Sequence, residues 1–466
     1  LLKNNFTLAV INLKIIQTTN HLMKKILILG AGLSSYSLIK YLLEHSKEHN
    51  WKLRVGDLSL ETAQRKINHH ENGEAFTFDV FNESQRMDEI KNADVVISML
   101  PARFHHLVAE QCVEFGKHMI TASYVSKEVK ALHQKALEKN ILLLNEIGVD
   151  PGIDHMSAMK VIDEIKAKGG KMQAFKSSTG GLVAPEFDNN PWNYKFTWNP
   201  RNVVVAGQSV AQYLDHGNYK YVPYNQLFRR IEKMSILDVG EFEMYPNRDS
   251  LSYRETYNLQ DIPTILRGTL RRPGYCAAWD VFVQLGLTDD TFTIENSENL
   301  TYREFINLFL PYNEKDPVEQ KICDYTGINK ESEIFKKLAW LGIFENKKIN
   351  MPNATPAQIL QKLLEEKWAL GENDKDMIVM QHQFDYTLNG KNKRIKSSLV
   401  VKGKDQVHTA MAITVGTPVA IATKLLLTGV IERRGVVVPI MKDVYEPVLN
   451  ELKEYGINFI EEYIDL

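Results

Sequence analysis

"KKILILGAGLSSYSLIKYLLEHS", residues 24–46, decides the fold. A run of Ile and Leu just long enough for one buried strand meets a glycine-rich turn. Beyond it Leu38, Ile39, Leu42 and Leu43 recur at the spacing of one helix face. Strand, tight turn and helix in that order open a dinucleotide-binding fold. Gly30 permits the turn, Gly32 lets a pyrophosphate approach the backbone, and the helix N-terminus offers N–H groups to the phosphates. Ser35 stands where the pattern has its third glycine, and it is small enough to keep helix and strand close.

The next strand, "WKLRVGDLS" (51–59), carries Asp57 about 20 residues further on, where an acidic side chain reads an adenosine ribose and repels a 2′-phosphate. That reading favours NAD over NADP; a solvated turn aspartate is the plainer alternative. Strand-like runs at 76–80, 93–101, 118–124 and 141–150 alternate with helical stretches at 105–116 and 126–140. The fold class expected is α/β, a Rossmann-type doubly wound parallel sheet over 23–150. Ligands of such sheets bind beyond the carboxyl ends of the strands, which places Asp79, Leu100, Pro101, Ser123, Tyr124 and Asp150 in one crevice.

"NEIGVDPGIDHM" (145–156) then begins a helix, and the composition changes. Residues 174–200 hold Trp192, Tyr194, Phe196 and Trp198 among glycines and prolines, which suits a shaped loop or antiparallel strands; core packing is the plain fate for such rings. Arg248 lies in a Pro-Asn-Arg-Asp turn, and Arg267, Arg271 and Arg272 flank a Gly-Thr-Leu. Arginine forks bind carboxylates in pairs, although surface salt bridges use the same residue type. Amphipathic helices fill about 285–370, a hairpin turns at Asn389–Gly390, and residues 408–429 form a buried apolar helix or helix pair, which Thr414, Thr417, Pro418 and Lys424 keep from reading as a membrane span. The second domain, 151–407, is therefore an α+β substrate domain with a helical insertion, and 408–466 returns to complete the first.

The whole chain of 466 residues has 44% hydrophobic and 24% charged residues and a net charge of −2, which excludes the basic excess of a nucleic-acid binder. Three scattered cysteines make neither a disulfide framework nor a zinc site and fit a reducing cytoplasm. The apolar stretch at 6–16 contains Lys14 and is too short to span a bilayer, so residues 1–22 read as an extension before Met23. No metal, nucleic acid or membrane is expected, and a homodimer is the default assembly.

Taken together, "LILGAGLSS", "VISMLP", "TASYVS", "EIGVDPGIDHM", "GGLVAPEFDNNPWNYKFTW", "YPNRDS", "LRGTLR", "KDMIVM" and "AMAITVGTPVAIATKLLLTG" resemble, in order, the glutamate-forming saccharopine dehydrogenases or saccharopine reductases. The chain is most similar to the dehydrogenase half of the bifunctional aminoadipic semialdehyde synthase. The resemblance implies an enzyme of lysine metabolism that interconverts saccharopine, NAD(P) and water with glutamate and aminoadipate semialdehyde. It implies cofactor contacts at Gly30, Ala31, Gly32, Leu33, Ser34, Asp57, Asp79, Val80, Leu100, Pro101, Ser123, Gly152 and Ile153. Substrate contacts are implied at Ser123, Tyr124, Asp150, Trp198, Arg248, Thr269, Leu270 and Arg271, with Asp150 and Tyr124 as catalytic candidates. Asp57 resembles the animal dehydrogenase half, so NAD is the expected cofactor, with NADP as the alternative. Thr179 departs from the family's Cys-Gly-Gly-Leu, and no role for a thiol carries over. A dehydrogenase of another imine-derived amine, such as carboxynorspermidine, would need fewer arginines, and a non-catalytic NAD sensor or scaffold would not need the substrate motifs.

Overall fold

The computed structural model describes residues 23–206 and 208–466; the expected extension 1–22 lies outside them. Contacts divide the chain into two compact units. One runs to Ile147 and includes Val419–Val437; the other comprises Gly148–Pro418 and Val438–Leu466. The segment that returns to the first unit is thus shorter than the expected 408–466.

The first unit is built on a parallel sheet of β1 (Lys24–Leu29), β2 (Trp51–Asp57), β3 (Gly73–Thr77), β4 (Val95–Ser98), β5 (His118–Ile120) and β6 (Leu142–Leu144), with β15 (Gly435–Val437) added from the far end of the chain. Their order is β15-β6-β5-β4-β1-β2-β3, so the direction of winding reverses between β1 and β4. Strands of a parallel sheet are covered on both faces and read as unbroken apolar runs, and all four residues of β4 are buried. Expected at 76–80, β3 instead ends at Thr77. There the Asp79 carboxylate accepts the Phe81 N–H at 2.9 Å and turns the chain away from β2.

The second unit holds a mixed sheet in the order β10-β11-β12-β7-β13-β14-β16, with β8 and β9 beside β12. Its strands are β7 (Lys171–Val183), β8 (Ala211–Asp215), β9 (Asn218–Val222), β10 (Glu232–Ser235), β11 (Glu241–Pro246), β12 (Thr264–Arg271), β13 (Asp376–Leu388), β14 (Lys391–Lys402) and β16 (Ile460–Asp465). β7 is central, parallel to β12 and antiparallel to β13, so the first part of 174–200 is a long strand. Asn389 and Gly390 both take positive φ (52° and 74°), as the tight turn between β13 and β14 requires. Trp192 goes into the core with Trp279 and Trp368, and its indole N–H reaches the Lys337 carbonyl at 2.9 Å.

Two helices bear on the site: α1 (Tyr36–His49) after the glycine turn, and α2 (Leu60–Ile67) after β2. A third, α3 (Ile153–Ala167), packs against β7 and β13. Of the two forms expected for 408–429, a helix or a helix pair, the first occurs, because α4 (Ala410–Leu427) runs through Pro418 as one helix. Asp376 accepts the Ala410 and Met411 N–H groups at its start, at 2.5 and 2.9 Å. By length and composition α4 could cross a membrane, but 72% of it is buried inside the protein.

Candidate active site

The glycine turn has the form that its sequence predicts. Gly30 sits at φ 100°, and a Cβ there would lie 2.7 Å from the Met99 carbonyl oxygen, so no other residue fits without displacing the chain after β4. Gly32 is extended, and a Cβ on it would meet nothing within 4 Å, which leaves open the space a pyrophosphate needs. Ala31 is buried behind the turn, whereas Leu33 is exposed and Ser34 half-buried on it. Ser35 is buried and donates its hydroxyl proton to the Gly32 carbonyl at 2.9 Å.

Asp57 does not project from the end of β2. Its Oδ2 accepts the Ala31 N–H at 2.7 Å and its Oδ1 the Ser59 N–H at 2.9 Å. Beside it the Lys66 ammonium of α2 donates to the Gly32 carbonyl and, at 3.1 Å, to the Ser35 hydroxyl. Burial lowers the Lys66 pKa to about 8, with Asp57 opposing the shift. Leu33, Leu58 and Phe81 remain at least 69% exposed near the strand ends. Apolar side chains left bare there suit an adenine ring. These residues fit a dinucleotide. Leu58, Lys66 and Phe81 were missed in the sequence because they lie outside the glycine motif.

Further along the sheet edge, Asp79 and Pro101 are exposed, Leu100 is half-buried and Val80 is buried. Tyr124 is 41% exposed, and Ser123 is held by an unexpected neighbour. The His105 ring bridges the Ser98 hydroxyl at 2.8 Å and the Ser123 hydroxyl at 2.7 Å. Burial pushes His105 down to about 4, so it holds Ser123 as a neutral ring.

Asp150 belongs to the second unit. Arg267, on β12, donates to its carboxylate and lies 3.6 Å from Asp154 as well, with the guanidinium 4.2 Å from the centre of the Tyr253 ring. Burial raises the Asp150 pKa; Arg267 opposes this and Asp154 adds to it. His155 turns instead to the Tyr257 hydroxyl at 2.8 Å, and His382 bonds Ser157 at 2.8 Å and is pushed by burial down to about 3. Gly152 and Ile153 are buried, and their N–H groups go to Asp154 at 2.6 Å and to the Gly148 carbonyl at 2.9 Å. Both are expected cofactor contacts, and neither keeps an N–H to donate to a ligand.

Alternate residues of a strand share a face, so Arg267, Thr269 and Arg271 point the same way, level with Ser177 and Thr179 of β7. Leu270 points oppositely and its side chain is fully buried. Arg271 is buried among Tyr194, Tyr275 and Tyr245, whose ring centres lie 5.0, 5.3 and 5.9 Å from its guanidinium carbon. Burial pushes all three phenols up, so none supplies a negative charge. Arg271 donates to the Leu270 carbonyl and to the Tyr275 hydroxyl, its Nε has no partner, and among the described residues it forms no salt bridge, since Glu243, opposite it on β11, accepts the Gly274 and Cys276 N–H groups. Trp198 adjoins Tyr194, while Thr269 and the exposed Arg248 adjoin Tyr245, so these four expected substrate residues gather around one cage. Tyr194 was named in the sequence among the aromatics of 174–200, but Tyr245 and Tyr275 were not, since nothing in their spacing marks a cage.

The chain matches the family model described as saccharopine dehydrogenase NADP binding domain over residues 26–144, and that described as saccharopine dehydrogenase C-terminal domain over 148–457. It is 33% identical to a saccharopine dehydrogenase [NADP(+), L-glutamate-forming] of Schizosaccharomyces pombe, over 95% of this chain and 100% of the relative. It is 34% identical to the mitochondrial alpha-aminoadipic semialdehyde synthase of Mus musculus, over 94% of this chain and 47% of that longer protein. A solved structure of apo saccharopine dehydrogenase (L-Glu forming) from Saccharomyces cerevisiae superposes with a TM-score of 0.86 at 32% identity, covering 95% of this chain and all of the other. The expectation of NAD is corrected here, because the fungal relatives are NADP(+) enzymes by name and the nucleotide-binding family model is an NADP-binding one. The physical error was to read Asp57 as an outward ribose ligand, when backbone N–H groups occupy its carboxylate and a lysine stands beside it. Two family models end to end, one-third identity over whole relatives and a shared fold place this chain in the saccharopine dehydrogenase family.

Proposed function

We propose that this chain oxidises saccharopine with NADP and water to glutamate and aminoadipate semialdehyde, or runs the reverse reaction. The observation that carries the reading is Arg271. A cation buried among three neutral phenols, with no salt bridge among the described residues and with the carboxylate opposite it, Glu243, held by the Gly274 and Cys276 N–H groups, calls for an anionic ligand. Saccharopine brings three carboxylates. Arg267 and Arg271 stand about 13 Å apart along β12, taking four residues at the strand rise. That span suits a long substrate gripped by a carboxylate at one end and by its amine near the other.

Asp150 is the group proposed to meet the amine. It takes the N–H proton of the secondary ammonium; an O–H bond forms, and the freed pair stays on nitrogen. That pair forms the C=N bond as hydride leaves the adjacent lysine-side carbon. Bound NADP supplies the hydride acceptor, held by the glycine turn, the start of α1 and Lys66. Water then adds to the C=N carbon, and cleavage of the C–N bond yields the aldehyde and the glutamate amine. Thr179 adjoins Asp150, so a hydroxyl stands where many relatives have the thiol.

The test mixes the protein with NADP and saccharopine and follows the near-ultraviolet absorbance of reduced cofactor. Reduction dependent on saccharopine is expected. A chain that reduces NADP with carboxynorspermidine and not with saccharopine would overturn the reading.

A further inference from the structure

Two carboxylates share one guanidinium in the second unit. Arg267 is only 6% exposed in its side chain, Asp154 2% and Asp150 17%. Asp154 spends Oδ1 on the Gly152 N–H at 2.6 Å; its Oδ2 is buried without a hydrogen-bond partner and faces Arg267 at 3.6 Å. Around the trio stand His155 of α3, the Thr179 hydroxyl of β7, the Tyr253 ring and the neutral His382 of β13. None of these carries a carboxylate, and burial keeps His382 neutral.

We propose that Arg267 and Asp154 are positioning residues for Asp150. Arg267 clamps its carboxylate, and Asp154, on the same guanidinium, leaves the trio with one negative charge in excess. The site therefore takes up one cation, the substrate ammonium or the proton it gives. Arg267 is thus withdrawn from carboxylate binding, which falls to Arg271. Asp154 acts on the reaction without touching the substrate, because unscreened charge in a buried site acts across several ångströms. The inference rests on the proposed role of Asp150 at the amine.

Asp154→Asn removes the excess charge. The expected result is a KM for saccharopine raised about tenfold or more, a lower pH for the acid limb of kcat/KM, and unchanged binding of NADP; Asp154→Glu restores most of the loss. Arg267→Lys keeps the charge and loses the fork, so kcat falls more than KM rises. A second readout needs no turnover: the difference in thermal midpoint between Asp150→Asn and its parent, followed from pH 4 to 8. Asp150 has its pKa raised in the fold, so its contribution is fully present below the unfolded pKa and lost as pH rises through the folded one. In the Asp154→Asn background that pH dependence shrinks, and in the Arg267→Lys background it moves to higher pH.

An Asp154→Asn protein whose KM and Asp150-dependent stability profile match the wild type overturns the proposal. If Asp154→Asn does not fold, an unshifted Asp150 profile in Arg267→Lys overturns it equally. If the wild type does not oxidise saccharopine at all, the functional reading fails, and the stability cycle still decides this one.

Discussion

Asp57 Oδ2 accepts the Ala31 N–H at 2.7 Å, fastening the acid at the end of β2 to the turn that should hold the pyrophosphate. A carboxylate satisfied by backbone donors and faced by Lys66 presents little bare charge to a 2′-phosphate. Lys66→Met is therefore expected to weaken binding of 2′,5′-ADP about tenfold while changing 5′-AMP little, since one charge-assisted contact is worth on the order of 1.4 kcal/mol. Titration calorimetry on the two nucleotides measures it. The 2′-phosphate preference should also fade above pH 8, because burial lowers the lysine to about 8. Equal losses for both nucleotides would place Lys66 at the pyrophosphate instead.

Gly30→Ala tests the turn itself. Positive φ and a 2.7 Å approach to the Met99 oxygen both oppose a Cβ, and the neighbour is backbone, which cannot swing aside. A loss of about 2 kcal/mol or more in the first unit is expected. Urea unfolding followed by a probe in that unit measures it, and nucleotide binding should fall in parallel. Gly32→Ala, at an extended position with open space, should leave stability within about 0.5 kcal/mol and impair only the nucleotide.

The contrast between those two glycines marks what a sequence can disclose. The strand, turn and helix at 24–46 were legible because period and turn chemistry are local, and the hairpin at Asn389–Gly390 was legible for the same reason. Pairings distant in the chain were not. Nothing in "LRGTLR" says that Arg267 will meet Asp150, 117 positions away, while Arg271 meets three tyrosines. Strand alternation puts both arginines on one face; only the packing of α3 and of the aromatic core gives one of them a carboxylate. His105 escaped notice similarly, because Ser98 and Ser123 become its neighbours only through parallel pairing of β4 with β5.

Arg271→Met should separate stability from function. A buried guanidinium with no salt bridge among the described residues costs desolvation that no ion pair repays, so an apolar side chain of similar length is expected to leave the midpoint of thermal unfolding unchanged or higher. The KM for saccharopine should rise by about two orders of magnitude, the loss of a charge-assisted bond to a carboxylate plus an unpaired anion at the cage. Steady-state kinetics beside differential scanning fluorimetry checks both. A variant that unfolds at lower temperature while keeping its KM would make Arg271 a structural residue.

Acid should destabilise this protein through its buried imidazoles. Burial holds His105 at about 4 and His382 at about 3, against an ordinary value of 6.5. A depressed pKa means that the unfolded chain takes the proton first. The stability these rings contribute is present above pH 6.5 and is lost as pH falls through the folded values. Each ring loses on the order of 3 to 5 kcal/mol over that window, at about 1.4 kcal/mol per pKa unit. Replacing one ring removes its share of the slope: the gap in thermal midpoint between wild type and His105→Gln should narrow steadily from pH 7 to pH 4. The cost of the lost Ser98 and Ser123 bonds is independent of pH and shifts the whole curve. Parallel curves across the window would mean that His105 takes its proton in the folded protein as readily as in the unfolded chain.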